Sequence, residues 1–281
     1  MSEERNEKNV IFGGSQPVEP TGVRSSMGLD IPTENIPLPS KGLLYSEGSP
    51  LHGRLNLDIR PMTTKEEDIL TSRALIKKGT VITALLKSCL IDQSIRVQDM
   101  IAGDRNALMV AIRITGYGSE YSVEMTCPAC SEKYKDTFLL DQMPIKWLEL
   151  VPVRPGENEF AYTLPVSKMP VTFKFLTGND EEDILARQEK MKKHSEMMGD
   201  TLVTTRLTHA LLSVNGNSDP GYISKAIRSM RAGDSRALRE FIDANEPGIE
   251  MRQSSTCSHC SHEEEVSVPM GVGFFWPSAV R

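Results

Sequence analysis

The chain has 281 residues, a length typical of two average domains. Hydrophobic residues make up 39% of it, which is ordinary for a globular protein, and the net charge of −6 excludes a strongly basic nucleic-acid-binding protein. No apolar run reaches the roughly 18 residues of a membrane-spanning helix. The polar N-terminus lacks the apolar region of a secretory signal peptide. These features predict a soluble protein that is made and assembled in the cytosol, with no membrane-spanning segment.

The N-terminal residues 1–36 differ in character from the rest of the chain. They are rich in Ser, Gly, Pro and charged residues and contain too few apolar residues to form a core. We predict an extended N-terminal arm. It either docks on the chain's own domains or is held by neighbouring chains in a large assembly, and we expect the second.

An internal repeat organises most of the remaining sequence. Aligned without gaps, residues 98–130 and 228–260 are identical at 12 of 33 positions. Further upstream, Glu66–Leu70 (EEDIL) recurs as Glu181–Leu185 in the same order relative to the other landmarks. We predict an α+β protein made by tandem duplication of a small domain with one strand, several helices and a hairpin. The predicted boundaries are repeat domain 1 at 37–140, a linker at 141–163, repeat domain 2 at 164–268 and a C-terminal aromatic tail at 269–281.

Each copy is predicted to begin with a strand and to continue with three helices. Alternation of apolar and polar residues predicts strands over residues 55–60 and 171–175. Apolar residues at helical spacing predict a second helix over residues 80–90 in one copy and 202–214 in the other.

The starts of the other helices are predicted from capping signals. Thr64 stands three residues before Glu67, and Asn179 three before Glu182, the spacing of a capping box. The carboxylates near these positions could also be read as catalytic pairs, but no His or Cys recurs beside both copies. We therefore predict capping. The N-caps of the third helices are expected to be Asp104 and Asp234.

Four of the five cysteines form two Cys-x-x-Cys pairs, Cys127 with Cys130 and Cys257 with Cys260. Alternating residues on both sides of each pair predict a β-hairpin with the pair at its tip. Such a zinc knuckle directs two thiolates at one point, and two knuckles complete a tetrahedral zinc site. We predict one structural zinc per chain that joins the two copies, because four thiolates leave no open coordination position for catalysis.

Other roles for the cysteines have less support. Disulfides would need an oxidising compartment, and a redox-active pair usually lies at a helix N-terminus in a βαβ setting. His259 and His262 are close enough to replace a thiolate, but the first copy has Ala129 and Glu132 at those places. The apolar surroundings of Cys89 predict a core residue.

Three consecutive aromatic residues lie near the C-terminus of a chain that is poor in aromatics. Phe274, Phe275 and Trp276 either fill the chain's own core or anchor in a pocket of a partner. We predict that they bind a partner, and the sequence leaves both alternatives open.

Several motifs resemble the baseplate hub family of contractile-tailed, T-even-like bacteriophages. They are Ile36–Tyr45 (IPLPSKGLLY), Arg60–Leu70 (RPMTTKEEDIL), Gly103–Arg105 and Gly116–Gly118, followed by the first cysteine pair. The resemblance implies a place in the central or inner tail baseplate of the virion, with assembly in the host cytoplasm. It also implies other tail proteins as partners and multiple copies in a symmetric assembly. It brings no catalytic residues.

These observations predict a structural baseplate component that holds neighbouring tail proteins together. One alternative is an assembly chaperone or catalyst that is absent from the mature virion. A nucleic-acid-binding zinc ribbon is disfavoured because Glu263, Glu264 and Glu265 beside the second knuckle would repel phosphates. An enzyme is disfavoured because the sequence contains no nucleophile–base pair, phosphate loop or open metal site.

Overall fold

The computed structural model describes residues 23–24, 30–194 and 202–275. Most of the predicted N-terminal arm therefore lies outside the described residues. Within them the protein mixes eight α-helices with several small antiparallel sheets, in agreement with the predicted α+β class. No helix in this part of the chain is both long and apolar enough to cross a membrane.

The first half, residues 34–146, contains a two-stranded sheet, four helices and a long hairpin. Two short paired strands precede it, β1 (Val23–Arg24) and β2 (Asp30–Ile31). The elements that follow are β3 (Glu34–Pro37), β4 (Asn56–Ile59), α1 (Thr64–Thr71), α2 (Arg73–Lys78), α3 (Val81–Cys89), α4 (Ala102–Tyr117), β5 (Glu120–Thr126), β6 (Lys133–Leu139) and β7 (Ile145–Lys146).

The second half, residues 160–275, also begins with strands, continues with helices and carries a hairpin near its end, and its sheet has three strands. Its elements are β8 (Phe160–Thr163), β9 (Pro170–Phe173), α5 (Gly178–His194), α6 (Leu202–Ala210), β10 (Leu211–Val214), α7 (Pro220–Ser229), α8 (Ala232–Asn245), β11 (Gly248–Ile249), β12 (Arg252–Thr256) and β13 (Glu263–Ser267). The sheet order is β10-β9-β8. A 3₁₀ turn, Val272–Phe275, closes the described chain.

The predicted strands and the helix of residues 80–90 are confirmed by β4, β9 and α3. The predicted helix of residues 202–214 is wrong in its last part. It ends at Ala210, and residues 211–214 form β10, which pairs with β9. Buried Leu211 and Val214 gain strand partners there, so tertiary packing overrides the helical spacing.

The predicted capping boxes are misplaced. In α1 the carboxylate of Glu66 accepts hydrogen bonds from the main-chain N–H and the hydroxyl of Thr63, at 2.9 and 2.6 Å. In α5 the corresponding pair is Asp180 and Thr177, at 2.9 and 2.8 Å. The boxes therefore lie one residue before Thr64–Glu67 and two residues before Asn179–Glu182. A cation from the preceding strand region explains this choice, because Arg60 and Lys174 form ion pairs with these two carboxylates.

The capping pairs also change how the repeated EEDIL segments correspond. Glu66 and Asp180 are 114 residues apart, whereas the identical letters are 115 apart. Leu70 and Ile184, also separated by 114, are 1% and 3% exposed, while Leu185 is 49% exposed. An alignment of the two helices by their core-facing residues is therefore shifted by one position from the alignment of the identical EEDIL residues.

Asp104 and Asp234 are not N-caps, because α4 and α8 begin two residues before them. Both side chains are fully buried and tie their helix to a preceding loop. Asp104 accepts from the main-chain N–H and the hydroxyl of Ser40, at 2.9 and 2.6 Å, and Asp234 accepts from the N–H of Val166 at 2.7 Å. A buried carboxylate needs such donors, which is why both helices dock in the same way.

The two halves share one continuous hydrophobic core. The strand β7 of the first half pairs with β11 of the second. Two main-chain hydrogen bonds also join the start of α4 to the start of α5. Ala102 N–H donates to the Leu176 carbonyl at 2.8 Å, and Gly178 N–H donates to the Met100 carbonyl at 3.0 Å. The cysteine site predicted to join the copies is therefore one of several connections between them.

Candidate metal centre

Two antiparallel hairpins carry the cysteine pairs at their tips, as predicted. β5 and β6 pair from Glu120 with Leu139 to Thr126 with Lys133. β12 and β13 pair from Arg252 with Ser267 to Thr256 with Glu263. In each hairpin the first cysteine follows directly after the incoming strand, so its position is set by the register of that strand.

The two tips have the same backbone geometry. Ser131 N–H donates to the Cys127 carbonyl and Ser261 N–H donates to the Cys257 carbonyl, each at 2.9 Å. Both serines adopt the left-handed conformation, with φ of 61° and 57°. This tight turn points both sulfur atoms of a pair to the same side, as metal-binding knuckles require.

The four sulfur atoms of Cys127, Cys130, Cys257 and Cys260 lie within 4.8 Å of one another. The Sγ atoms of Cys127 and Cys260 are 3.6 Å apart, and those of Cys130 and Cys257 are 3.8 Å apart. A tetrahedral site with zinc–sulfur bonds of about 2.3 Å places its sulfurs about 3.8 Å apart. Spacing and donor chemistry therefore fit a four-thiolate metal site.

The four thiols share their hydrogen bonds unequally. Burial by itself raises the pKa of Cys257, but hydrogen bonds from the main-chain N–H groups of His259 and Cys260 and from the neighbouring thiols lower it. Hydrogen bonds with neighbouring thiols raise the pKa of Cys130 and Cys260. The first cysteine of each pair, Cys127 or Cys257, is buried, whereas Cys260 is exposed. A metal would therefore bind at the edge of the protein, with its inner face protected.

The histidines lie outside the sulfur cluster. The Nε2 atom of His259 is 3.1 Å from the Lys133 carbonyl oxygen, so its ring links the second knuckle to the first. The carbonyl of His262 accepts the Cys257 N–H within its own knuckle. Cys89 is fully buried among apolar residues, which confirms it as a core residue.

A buried polar contact joins the two hairpins below the cysteines. The hydroxyl oxygens of Tyr134 and Ser255 are 3.0 Å apart, and Ser255 donates to Asp136 at 2.6 Å. Tyr134 and Ser255 are both buried. The sequence predicted the two hairpins but not this contact, because Tyr134 and Ser255 are 121 residues apart.

The aromatic tail is only partly described. Phe274 and Phe275 are 1% and 0% exposed, and the Phe274 ring packs edge-on against Tyr121 of β5, with 5.0 Å between ring centroids. In this conformation neither ring is available to a partner. Trp276 lies outside the described residues, and partner binding by the three aromatics remains a prediction.

Comparison with known proteins identifies the family. Residues 36–276 match the family model described as T4 bacteriophage base plate protein, which covers most of the chain. No curated protein and no solved structure has significant similarity to the chain. The matched region includes both hairpins and the four cysteines at their tips. The chain therefore belongs to the T4 bacteriophage base plate protein family.

Proposed function

We propose that the protein is a structural component of a contractile phage tail baseplate, in the hub or inner baseplate, where it holds neighbouring tail proteins together. The observation that carries this proposal is the family match over residues 36–276. It supports a location in the virion tail and other tail proteins as partners, and we propose in addition that several copies form a symmetric assembly. Assembly in the host cytoplasm is part of the same proposal.

A rigid, non-enzymatic role agrees with how the buried charges are used. Glu66 forms a 2.7 Å ion pair with Arg60, and Asp180 forms a 2.8 Å ion pair with Lys174. Each of these carboxylates also caps a helix, so its hydrogen-bonding capacity serves the fold. The family membership supports the same conclusion, since it points to a building component of the tail.

We also propose that the four cysteines hold one structural zinc ion. Their sulfur spacing fits a tetrahedral tetrathiolate, and a closed set of four protein ligands is typical of zinc sites that stabilise a fold. The metal would fasten the two hairpin tips together. Cys127 and Cys130 would supply one half of the site, and Cys257 and Cys260 the other.

The two halves of the fold are proposed to be copies of one ancestral unit. The matching turns at the two knuckles support this, as do the buried aspartates of α4 and α8 and the carboxylate caps of α1 and α5. The segments at the two ends of the chain, residues 1–22 and 276–281, are proposed to contact neighbouring subunits. Both lie outside the described residues.

Quantitative mass spectrometry of purified tails tests the structural role against the chaperone alternative. A structural component is expected at a fixed ratio to other baseplate proteins in finished tails, and tails from a phage that lacks the gene should have incomplete baseplates. Presence in infected-cell lysate combined with absence from finished tails would establish the assembly role instead. Salt-sensitive binding of the purified protein to duplex DNA would favour the zinc-ribbon alternative.

A further inference from the structure

The chain crosses from the second half back to the first after the second hairpin. Val268 N–H donates to the Met251 carbonyl at 2.8 Å, which keeps the end of β13 beside its own half. One residue later, the carbonyl of Pro269 lies 3.4 Å from the Tyr121 hydroxyl of the first half. The residues after Pro269 therefore pack against the first half, although the chain reaches them from the second half.

Two aromatic rings anchor this segment. Phe274 and Phe275 are buried, and their ring centroids are 5.4 Å apart in an edge-on arrangement. Phe274 also contacts the ring of Tyr121 edge-on, at an interplanar angle of 66°. Edge-on aromatic pairs add stabilisation beyond the area they bury, and aromatic side chains contribute strongly to the energy of cores and interfaces.

A buried arginine of α4 contacts the main chain of the same segment. Arg113 is 2% exposed, and its Nε atom donates to the Phe274 carbonyl at 3.1 Å. Its two other nitrogens donate to the carbonyls of Gly118 and Glu120, at 2.8 and 3.0 Å. Both of these carbonyls lie in the first half, so the two hydrogen bonds fix the orientation of the guanidinium without the C-terminal segment. The Nε–H group is then free to donate to a carbonyl of a bound segment.

The residues between the hairpin and the anchors act as a spacer. A Cβ atom added to Gly271 or Gly273 would meet no other atom within 4 Å. The segment is thus held by its aromatic end, by the hydrogen bond at Pro269 and by Met270, which packs against the core. A segment bound in this way through a short spacer can reach the same site on another chain, as in domain swapping.

We propose that the junction of α4 and β5 is a peptide-binding site for two consecutive aromatic residues, which the chain's own Phe274 and Phe275 fill here and which those of a second copy fill in an assembly. Arg113 and Tyr121 are its recognition residues. The proposal depends neither on the metal nor on the place of the protein in a baseplate.

Peptide binding to a full-length chain with an emptied site tests the proposal. The double variant Phe274→Ser, Phe275→Ser releases the tail, and the probe is a fluorescent synthetic peptide of residues 268–281. Fluorescence anisotropy should show saturable binding to the variant and at least about tenfold weaker binding to the wild type, whose site is occupied. The same peptide with serine at both aromatic positions should not bind. Introducing Arg113→Lys into the variant should weaken binding about tenfold, since lysine cannot keep all three hydrogen bonds.

A folded double variant, with unchanged circular dichroism, that fails to bind the peptide would overturn the proposal. A second measurement uses only the wild type, in case the double variant unfolds. Isotopically heavy and light chains are mixed at high concentration, warmed, and analysed by native mass spectrometry. Mixed dimers that disappear when excess peptide is added are expected. The absence of mixed dimers, or mixed dimers that a chelator removes and the peptide does not, would contradict the exchange of this segment.

Discussion

Gly103 near the start of α4 and Pro247 just before β11 approach so closely that a Cβ atom on Gly103 would lie 1.6 Å from the Pro247 carbonyl oxygen. This contact joins α4 of the first half to the segment between α8 and β11 of the second half. Because the obstructing atom belongs to the backbone, no side-chain rotation can make room for a larger residue.

Replacing Gly103 with alanine is therefore expected to lower the free energy of unfolding by about 3 kcal/mol. The matched control is Gly233→Ala, 130 residues later, whose Cβ would lie 3.3 Å from a side-chain carbon of Val166. That variant should change stability by less than about 1 kcal/mol, since a side chain can move and alanine favours helix. Denaturant unfolding of the two variants measures the difference. Equal losses would show that the Gly103 contact does not limit stability.

The proposed zinc site predicts one zinc per purified chain, measured by elemental analysis. Cys257→Ser should reduce the zinc content by well over half, whereas His259→Ala should retain it, because His259 contacts the Lys133 carbonyl outside the sulfur cluster. Zinc content that falls with His259→Ala and persists with Cys257→Ser would contradict the four-thiolate assignment.

Removal of the metal is expected to loosen the two hairpins without separating the halves, since the halves share one core. Hydrogen exchange measured with and without a chelator should show faster exchange in residues 120–139 and 252–267. Exchange in α4 should change little. Uniformly faster exchange throughout the chain would mean that the metal holds the whole fold together.

The buried ion pair at the start of α1 predicts a loss of stability in acid. Burial by itself raises the pKa of Glu66, but hydrogen bonds from Arg60, Ser88 and Thr63 outweigh it and lower the pKa to about 2. The folded state therefore holds this proton less tightly than the unfolded state. The stabilisation is present above about pH 4.5 and is lost as the pH falls towards 2, with a size of about 2 to 3 kcal/mol.

Glu66→Gln should remove this dependence and destabilise the protein at pH 6. The control is Asp68→Asn, an exposed residue of the same helix, which should leave the pH profile unchanged. Thermal unfolding between pH 6 and pH 2.5 measures both variants. A Glu66→Gln protein that loses stability in acid as steeply as the wild type would assign the loss to other carboxylates.

The opposite pH dependence is expected at Glu246, which follows the end of α8. Burial, with a smaller contribution from the nearby carboxylate of Glu181, raises its pKa to about 7 against the opposing effect of the cations Arg206 and Lys146. The folded state thus binds this proton more tightly than the unfolded state. Stability is greatest below about pH 4.5 and falls as the pH rises through about 7.

Glu246→Gln should therefore stabilise the protein at pH 8 by about 1 kcal/mol and have little effect at pH 4, after allowance for the partial exposure of this side chain. Glu240→Gln, an exposed position on α8 that pairs with Arg236, is the control and should be nearly neutral at both pH values. Melting temperatures at the two pH values give the result. Equal effects of Glu246→Gln at pH 4 and pH 8 would contradict the raised pKa.

The local pattern of the sequence determined the features that depend on short spacing. Two Cys-x-x-Cys pairs between alternating residues predicted both hairpins and the four sulfur atoms that meet at their tips. The strands β4 and β9, the helix α3 and the buried Cys89 follow from the same local rules, because each depends on which face of one element is apolar.

Only the tertiary structure decided which polar groups meet across the chain. It moved the caps to Glu66 and Asp180, where Arg60 and Lys174 supply a charge, and it turned the end of the predicted helix 202–214 into a strand. It also brought Ser255 to Tyr134 and the Phe274 carbonyl to Arg113, over 121 and 161 residues. A buried polar group must find a partner wherever the packing of the whole chain provides one, and no local periodicity encodes that position.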